Sequence, residues 1–158
     1  MKNDFLDLTI VIFTYNRHKF LQRTLEYYTN FNLKILVVDG SDKNFNNIIL
    51  NRSNIKYYHI KKDYYSRYSF ATKKITTKYI IIANDDEFLI INSLKKCINF
   101  LGEYDFVYHN MKQVQGIKEK NLRVRSISEP YFEDLIVNGN AIMTSSVVTK
   151  KEVLFKPS

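Results

Sequence analysis

Three acidic side chains follow directly on an apolar segment. Asp85, Asp86 and Glu87 come just after residues 78–83, whose sequence KYIIIA is typical of a buried strand. Adjacent carboxylates repel one another and raise each other's pKa, so such a cluster is costly unless water or a cation compensates. Carboxylate oxygens suit Mg²⁺ or Mn²⁺, which proteins usually hold with one or two carboxylates and the phosphates of a ligand. The cluster therefore predicts a divalent cation and a phosphate-bearing ligand.

Two more polar segments follow apolar runs. TYNR at residues 14–17 comes after LTIVIF, and DGSD at residues 39–42 comes after KILVV. Ligands of an open parallel α/β sheet bind beyond the carboxyl ends of its strands, so we expect the three polar segments to meet at one edge.

Each of these residues also has a plainer interpretation. A helix N-terminus favours Asp and Glu and would account for one or two of the acids, but less readily for three. Asp39 before a glycine is a usual turn residue, and Arg17 or Arg67 alone would be ordinary surface charges. The three histidines, at positions 18, 59 and 109, lack metal-ligand spacing and are interpreted as non-functional, and Cys97 as a core residue of a helix.

Hydrophobic periodicity indicates the elements that would position these segments. It predicts strands at residues 8–13, 34–38, 55–60, 78–83, 104–109 and 141–148. It predicts helices at residues 17–30, 64–75, 92–100 and 131–137, and the start of another at 150–154. Residues 111–127 are typical of a polar hairpin. Alternating strands and helices predict an α/β fold.

Length and composition narrow the classes of protein. The chain has 158 residues and 45% hydrophobic residues, which predicts one globular domain and excludes disorder as its main state. Its four glycines lie too far apart for a dinucleotide-binding or P-loop phosphate cradle. No apolar run is long enough to span a bilayer, and no signal-peptide pattern is found. A single cysteine favours a reducing, cytoplasmic setting.

The net charge of +8 is uneven. Residues 1–79 hold 14 Lys and Arg against 6 Asp and Glu, whereas residues 80–158 hold 10 of each. This asymmetry would suit a polyanion, an anionic membrane surface or a phosphate-bearing ligand. Codon bias in an AT-rich genome would also produce it.

The segments TIVIFTYNR, ILVVDGSD and YIIIANDDEF together resemble the family 2 glycosyltransferases with the GT-A fold. The resemblance implies a mostly parallel, Rossmann-like sheet flanked by helices. It also implies a single domain over residues 1–158, with a donor-binding part at 8–90 and an incomplete acceptor part at 91–158.

The family's functional residues carry over position by position. The resemblance assigns the nucleotide of a sugar donor to Thr14, Tyr15, Asn16, Arg17, Asp39, Arg67 and Asp85. The acidic segment corresponds to the family's DxD motif, which binds a divalent metal, Mg²⁺ or Mn²⁺, on the diphosphate. Two registers fit that motif, Asp85-x-Glu87 and Asn84-x-Asp86. We favour Asp86 as the metal ligand, and the role of Glu87 as a ligand is left open.

The catalytic base is not identified. A looser resemblance at residues 138–155 corresponds to the segment shortly before the general base of inverting members, and the sequence stops at Ser158. Glu133 and Asp134 precede that segment, which places them on the wrong side of it for this role. We therefore expect a chain that ends before its base.

The sequence thus predicts metal-dependent transfer of a sugar, from a nucleoside-diphosphate donor such as a UDP-sugar, to a glycan or lipid-linked acceptor in polysaccharide biosynthesis. It predicts a cytoplasmic protein, peripheral on the inner face of an anionic membrane or free of it. One alternative is a truncated nucleotide-sugar-binding module with little or no transfer. Another, resting on the basic charge and twelve tyrosines, is a nucleic-acid-binding domain, but RNP, KH and helix-turn-helix signals are missing and no nucleic-acid partner is expected.

Other enzyme classes fit less well. A sugar nucleotidyltransferase would need a Gly-rich basic loop after the first strand. A receiver domain or an aspartyl phosphatase would carry its acids at the end of the first strand, not of the fourth.

Overall fold

The structure is a computed structural model and describes residue 5 and residues 7–108, 111–115, 118–122 and 147–154. Its elements in chain order are β1 (Leu8–Thr14), α1 (His18–Tyr28), β2 (Lys34–Asp39), a 3-10 turn (Ile48–Asn51), β3 (Ile55–His59), α2 (Tyr64–Lys74), β4 (Tyr79–Asn84), α3 (Ile91–Phe100), β5 (Phe106–Tyr108), β6 (Met111–Gln115), β7 (Lys118–Leu122), β8 (Val147–Lys150) and α4 (Lys151–Leu154).

The predicted elements up to β5 lie within two residues of these bounds. Strands β6 and β7 pair antiparallel, which confirms a hairpin in the polar segment. The helix predicted at 131–137, and all but the last two residues of the strand predicted at 141–148, lie outside the described residues. So do His109, Glu133 and Asp134.

The main sheet is mixed and mostly parallel, as expected. Its strand order is β3-β2-β1-β4-β8-β5. Strands β3, β2, β1 and β4 run parallel, whereas β8 lies antiparallel to β4 and to β5. The chain winds outward from β1 to β3 and then crosses to β4 on the other side of β1. The carboxyl ends of β1 and β4 therefore border the topological switch point, where α/β sheets bind their ligands.

Helices cover both faces of the sheet because successive strand residues point to opposite sides. Ile10 and Ile12 of β1 pack in a core with α1 and α3, whereas Val11 packs with Ala71 of α2 on the other face. The strands are thus apolar on both sides, which accounts for their uninterrupted hydrophobic runs. Cys97 of α3 is buried in the first core, as predicted.

Within the parts of the chain that the structure describes, no helix is long and apolar enough to cross a membrane.

Candidate functional site

A cavity of about 320 Å³ opens at the switch point. Residues from the ends of β1 and β4, from the loops that follow them and from α2 line it, among them Thr14, Tyr15, Arg17, Tyr64, Arg67 and Asp85. Two of the three polar segments therefore line the cavity, and the third, residues 39–42, is hydrogen-bonded to the loop after β1 through Asn16. Five of the sequence-predicted site residues line the cavity.

Asp85 is the buried member of the acidic cluster, with only 3% of its surface exposed. Thr14 Oγ1 donates a hydrogen bond to its Oδ2 at 2.6 Å, and Arg17 Nη1 lies 3.3 Å from its Oδ1. Burial raises the pKa of Asp85, and the Thr14 hydroxyl and the Arg17 charge oppose that shift. A carboxylate in this position is costly to the fold and depends on cationic partners.

Asp86 and Glu87 are turned in other directions. The exposed Asp86 carboxylate pairs with the Arg17 guanidinium, which thus serves both Asp85 and Asp86. The Glu87 carboxylate accepts hydrogen bonds from the backbone N–H and the side-chain amide of Asn84, at 3.2 and 2.9 Å. Asp85 and Asp86 therefore share one cation, while Glu87 is engaged by its own turn.

This donor set fits a divalent ion that takes its remaining ligands from phosphate. Asp85 and Asp86 supply the carboxylate oxygens that such ions prefer. The Arg17 guanidinium pairs with both carboxylates, which shows that a positive charge is stabilised between them. Among the described residues, no group of three or more His, Cys, Asp or Glu side chains could hold a metal by itself. A bound ion would have to share its coordination with a ligand.

Side chains of helix α1 hydrogen-bond to the backbone of the turn at residues 85–89, which contains the acidic cluster. Thr24 Oγ1 donates to the Asp85 carbonyl at 2.7 Å, and Tyr27 OH donates to the Leu89 carbonyl at 2.7 Å. Tyr28 OH accepts from the Leu89 N–H at 3.2 Å and donates to the carbonyl of residue 87 at 3.3 Å. The turn is therefore fixed at both ends.

Asp39 is fully buried at the end of β2. Its carboxylate accepts hydrogen bonds from Ser41 N at 2.7 Å, Tyr57 OH at 2.7 Å and His18 Nε2 at 2.8 Å. Burial raises the pKa of Asp39, but these bonds outweigh it and leave that pKa below its ordinary value. Asp39 stays ionised, and its neighbours His18 and Tyr57 face outward more than it does.

The sequence interpretation missed these neighbours. The sequence pattern predicts no role for His18 or His59. In the structure His18 Nε2 bonds the carboxylate of the predicted site residue Asp39, and His59 Nε2 donates to the Ser41 carbonyl at 2.7 Å. The register of β2 against β3 carries the missing signal, since it pairs Asp39 with His59 and places Tyr57 two residues earlier. The pairing register of two strands cannot be determined from this sequence alone.

Asn16 joins the loop after β1 to the loop after β2. It has a φ of 55°, in the left-handed region that asparagine tolerates better than most residues. Its backbone N–H donates to Ser41 Oγ at 2.7 Å, and its side chain bonds Asp42. Tyr15, next to it, is exposed at the rim of the cavity.

Arg67 lies beneath this loop and is 7% exposed. Its Nη1 donates to the Thr14 carbonyl at 2.9 Å, and its Nε is a buried nitrogen without a hydrogen-bond partner among the described residues. A Cβ at Gly40 would lie 2.7–2.9 Å from the guanidinium, so only glycine leaves room for it. A buried, incompletely satisfied cation beside a cavity is suited to binding an anion.

Comparisons with solved structures show the fold. S. aureus TarS 1–349, in complex with UDP-GlcNAc, superposes with a TM-score of 0.67 at 17% identity, over 94% of this chain and 46% of that one. The mannosyltransferase PcManGT from Pyrobaculum calidifontis, in complex with GDP-Man and Mn²⁺, gives a TM-score of 0.61 at 13% identity, over 94% and 45%. This chain therefore has the GT-A fold and spans about half the length of these two structures.

A search of curated proteins gives no significant match. The model of Glycosyl transferase family 2, however, matches residues 9–147, which is most of the chain. That match includes all three polar segments and the strands that end in them. The chain therefore belongs to glycosyltransferase family 2.

Proposed function

We propose that this protein binds a nucleoside-diphosphate sugar, preferentially a UDP-sugar, and transfers the sugar to a glycan or lipid-linked acceptor in polysaccharide biosynthesis. One observation carries the proposal. Arg67, whose Nε has no hydrogen-bond partner among the described residues, and Asp85 both line the cavity at the switch point, and Asp85 shares the Arg17 guanidinium with Asp86. Anion-binding and cation-binding groups side by side suit a metal-bound diphosphate.

The diphosphate end of the donor belongs at Arg67 and Asp86. In this proposal the Arg67 guanidinium donates to a phosphate oxygen, and Asp86 holds Mg²⁺ or Mn²⁺ with support from Asp85. The ion, when bound, supplies positive charge that stabilises the nucleoside-diphosphate leaving group. Glu87 is a weaker ligand candidate because its carboxylate bonds Asn84.

The nucleoside belongs at the loops after β1 and β2. Tyr15 offers an exposed ring at the rim, whereas Thr14 and Asn16 hold the loop in shape. Asp39 is covered by His18 and Tyr57, so it reaches the base or ribose only if one of these side chains moves. Otherwise Asp39 contributes by orienting both.

Sugar transfer breaks the bond between the anomeric carbon and the diphosphate oxygen and forms a bond to the acceptor oxygen. The acceptor hydroxyl loses a proton to a base, and Arg17, Arg67 and the cation would stabilise the departing phosphate. We assign that base to no described residue. A nucleotide-sugar-binding module with little or no transfer activity therefore remains the alternative for a chain of this length.

The relatives favour the same donor class. TarS is in complex with UDP-GlcNAc and PcManGT with GDP-Man and Mn²⁺. We propose a cytoplasmic reaction with peripheral membrane attachment, since a lipid-linked acceptor would lie at a membrane surface.

Isothermal titration of UDP and GDP, with Mn²⁺ or with EDTA, tests this function. We expect UDP to bind more tightly than GDP, metal to strengthen binding at least tenfold, and Arg67→Met to weaken it by a similar factor, since a charged hydrogen bond contributes about 1.5–3 kcal/mol. Arg52→Met is the matched control because Arg52 is exposed and lies outside the cavity lining. Binding that ignores both metal and Arg67 would refute the donor site. Equally tight binding of GDP would refute the uridine preference.

A further inference from the structure

Nearly all of the net charge comes from one strand–helix unit. Residues 52–78, which include β3 and α2, contain eight Lys or Arg residues and a single acid, Asp63, in a chain whose net charge is +8. Arg67 is the buried member; the other seven basic side chains are exposed. The positive charge is therefore a localised surface property, not a diffuse one.

Two of these lysines lie on the α2 face of the sheet, and three more lie in or next to α2 in the chain. Lys56 pairs with Leu36, which packs in the α2 core, so strand alternation turns Lys56 to the α2 face. Lys74 Nζ lies on the same face, 5.6 Å from the Tyr58 ring and 5.3 Å from the Phe70 ring. Lys61 and Lys62 lie between β3 and α2, and Lys73 lies in the last turn of α2, just before its final residue Lys74. With Tyr65, these five lysines form what we call the β3–α2 surface.

The acid in this region does little to offset the lysines. Asp63 caps α2, where its carboxylate accepts hydrogen bonds from Ser66 N at 2.9 Å and Ser66 Oγ at 2.6 Å. It faces the start of the helix, where negative charge is favoured. Tyr65, two residues later, exposes 83% of its surface. An exposed tyrosine ring among lysines combines an apolar body with polar and charged tips.

We propose that the β3–α2 surface docks on an anionic phospholipid membrane. Lysines act as point charges and need no defined partner geometry, which suits a field of lipid headgroups better than bidentate recognition. A nucleic acid would need several aromatic faces for stacking, but Lys74 lies over both Tyr58 and Phe70, so Tyr65 is the one ring of this surface left open to a base. That leaves an exposed tyrosine and a row of ammonium groups, which match a membrane interface.

The position of this surface relates it to the cavity. Tyr64 begins α2 next to Tyr65 and lines the cavity with Arg67. A chain docked through α2 would therefore hold its cavity close to the leaflet. Peripheral attachment is part of the proposed function, and the β3–α2 surface adds the residues that would make it. The choice of a lipid-linked acceptor also rests on that function, whereas vesicle binding can be measured without donor or acceptor.

Co-sedimentation with vesicles tests the docking. The full chain is mixed with vesicles of phosphatidylcholine, alone or with one third phosphatidylglycerol. We expect binding only to the anionic vesicles, and a loss of about 25-fold for Lys61→Gln/Lys62→Gln, since each lysine near such a surface contributes roughly fivefold. The matched control is Lys95→Gln/Lys96→Gln, an adjacent exposed pair on α3, on the opposite face of the sheet. Tyr65→Ser should weaken binding further without affecting folding.

Equal losses for the two lysine pairs would overturn the proposal, as would preferential binding of a single-stranded oligonucleotide at the same salt concentration. UDP titrations of the same variants separate this proposal from the proposed function. Normal UDP binding with no vesicle binding refutes the docking surface alone. Lysine-dependent vesicle binding without UDP binding supports the surface and refutes the donor site.

Discussion

Asn16 and Asp42 hold each other across two loops. Asn16 Nδ2 donates to Asp42 Oδ2 at 2.8 Å, and Asp42 N donates back to Asn16 Oδ1 at 3.0 Å. Both bonds form while the Asn16 backbone has a φ of 55°, in the left-handed region. The loops after β1 and β2 are thus fixed relative to each other without a glycine in the first of them.

Replacing Asn16 separates these two contributions. Asn16→Ala loses the side-chain bonds and strains the left-handed backbone, so we expect a loss of about 2 kcal/mol of unfolding free energy and weaker UDP binding. Asn16→Gly relieves the strain but does not restore the lost bonds, so its unfolding free energy should lie between those of the wild type and Asn16→Ala. Urea denaturation measures the stabilities and calorimetry the affinities. If the alanine and glycine variants are equally stable, the positive φ carries no cost.

Gly40 and Arg67 form a pair that can be tested in both directions. Gly40→Ala places a methyl group against the guanidinium and should cost about 1–3 kcal/mol through overpacking. In an Arg67→Ala background the same change should cost much less, because the clashing group is gone. A double-mutant cycle on unfolding free energy measures the coupling. Additive effects would show that the two residues are not in contact.

The Asp39 carboxylate makes stability depend on pH. Because its folded pKa lies below the unfolded value of about 3.9, its ionisation stabilises the protein above that pH and the contribution is lost as pH falls below it. We expect Asp39→Asn to lower the melting temperature at pH 7 and the gap to wild type to close below about pH 4. Thermal melts at several pH values measure this. A gap that stays constant down to pH 3 would contradict the assignment.

Substitutions of Asp86 and Glu87 should differ in how much they reduce the enhancement of UDP binding by Mn²⁺. Asp86→Asn removes an exposed carboxylate and should abolish most of the Mn²⁺ enhancement of UDP binding. Glu87→Gln should change it by less than about threefold, because the Glu87 side chain bonds Asn84 and an amide oxygen can still accept there. Titration of UDP with and without Mn²⁺ decides between them. A larger effect at Glu87 would favour the register that begins at Asp85.

Much of the structure of residues 8–90 could be predicted from the sequence. Strands β1, β2 and β4 are uninterrupted apolar runs that end abruptly in polar residues, so both their position and the edge where Thr14, Asp39 and Asp85 meet follow from pattern alone. Helix α1 shows clear three- and four-residue spacing. These signals are local, and short-range pattern captures them.

Other features depend on contacts distant in sequence. The antiparallel insertion of β8 between β4 and β5 joins strands that are far apart in the chain. The bond from Tyr57 to Asp39 needs the β2–β3 register, and the bond from Thr24 to the Asp85 carbonyl spans 61 residues. Only the folded sheet brings such partners together, so the supports of the site were missed even where its acids were found.

Asp85 is buried and Asp86 next to it is exposed, and this arrangement limits which insertions and deletions the protein tolerates near them. A one-residue insertion or deletion in β4 would shift the register of the residues that follow it against β1, turn their side chains to the other face, and bring a different residue to Thr14. Substitutions in β4 can keep the site, but changes in its length cannot. Among family members that share this site, alignment gaps should therefore fall in the connections between strands, and β4 should be free of them.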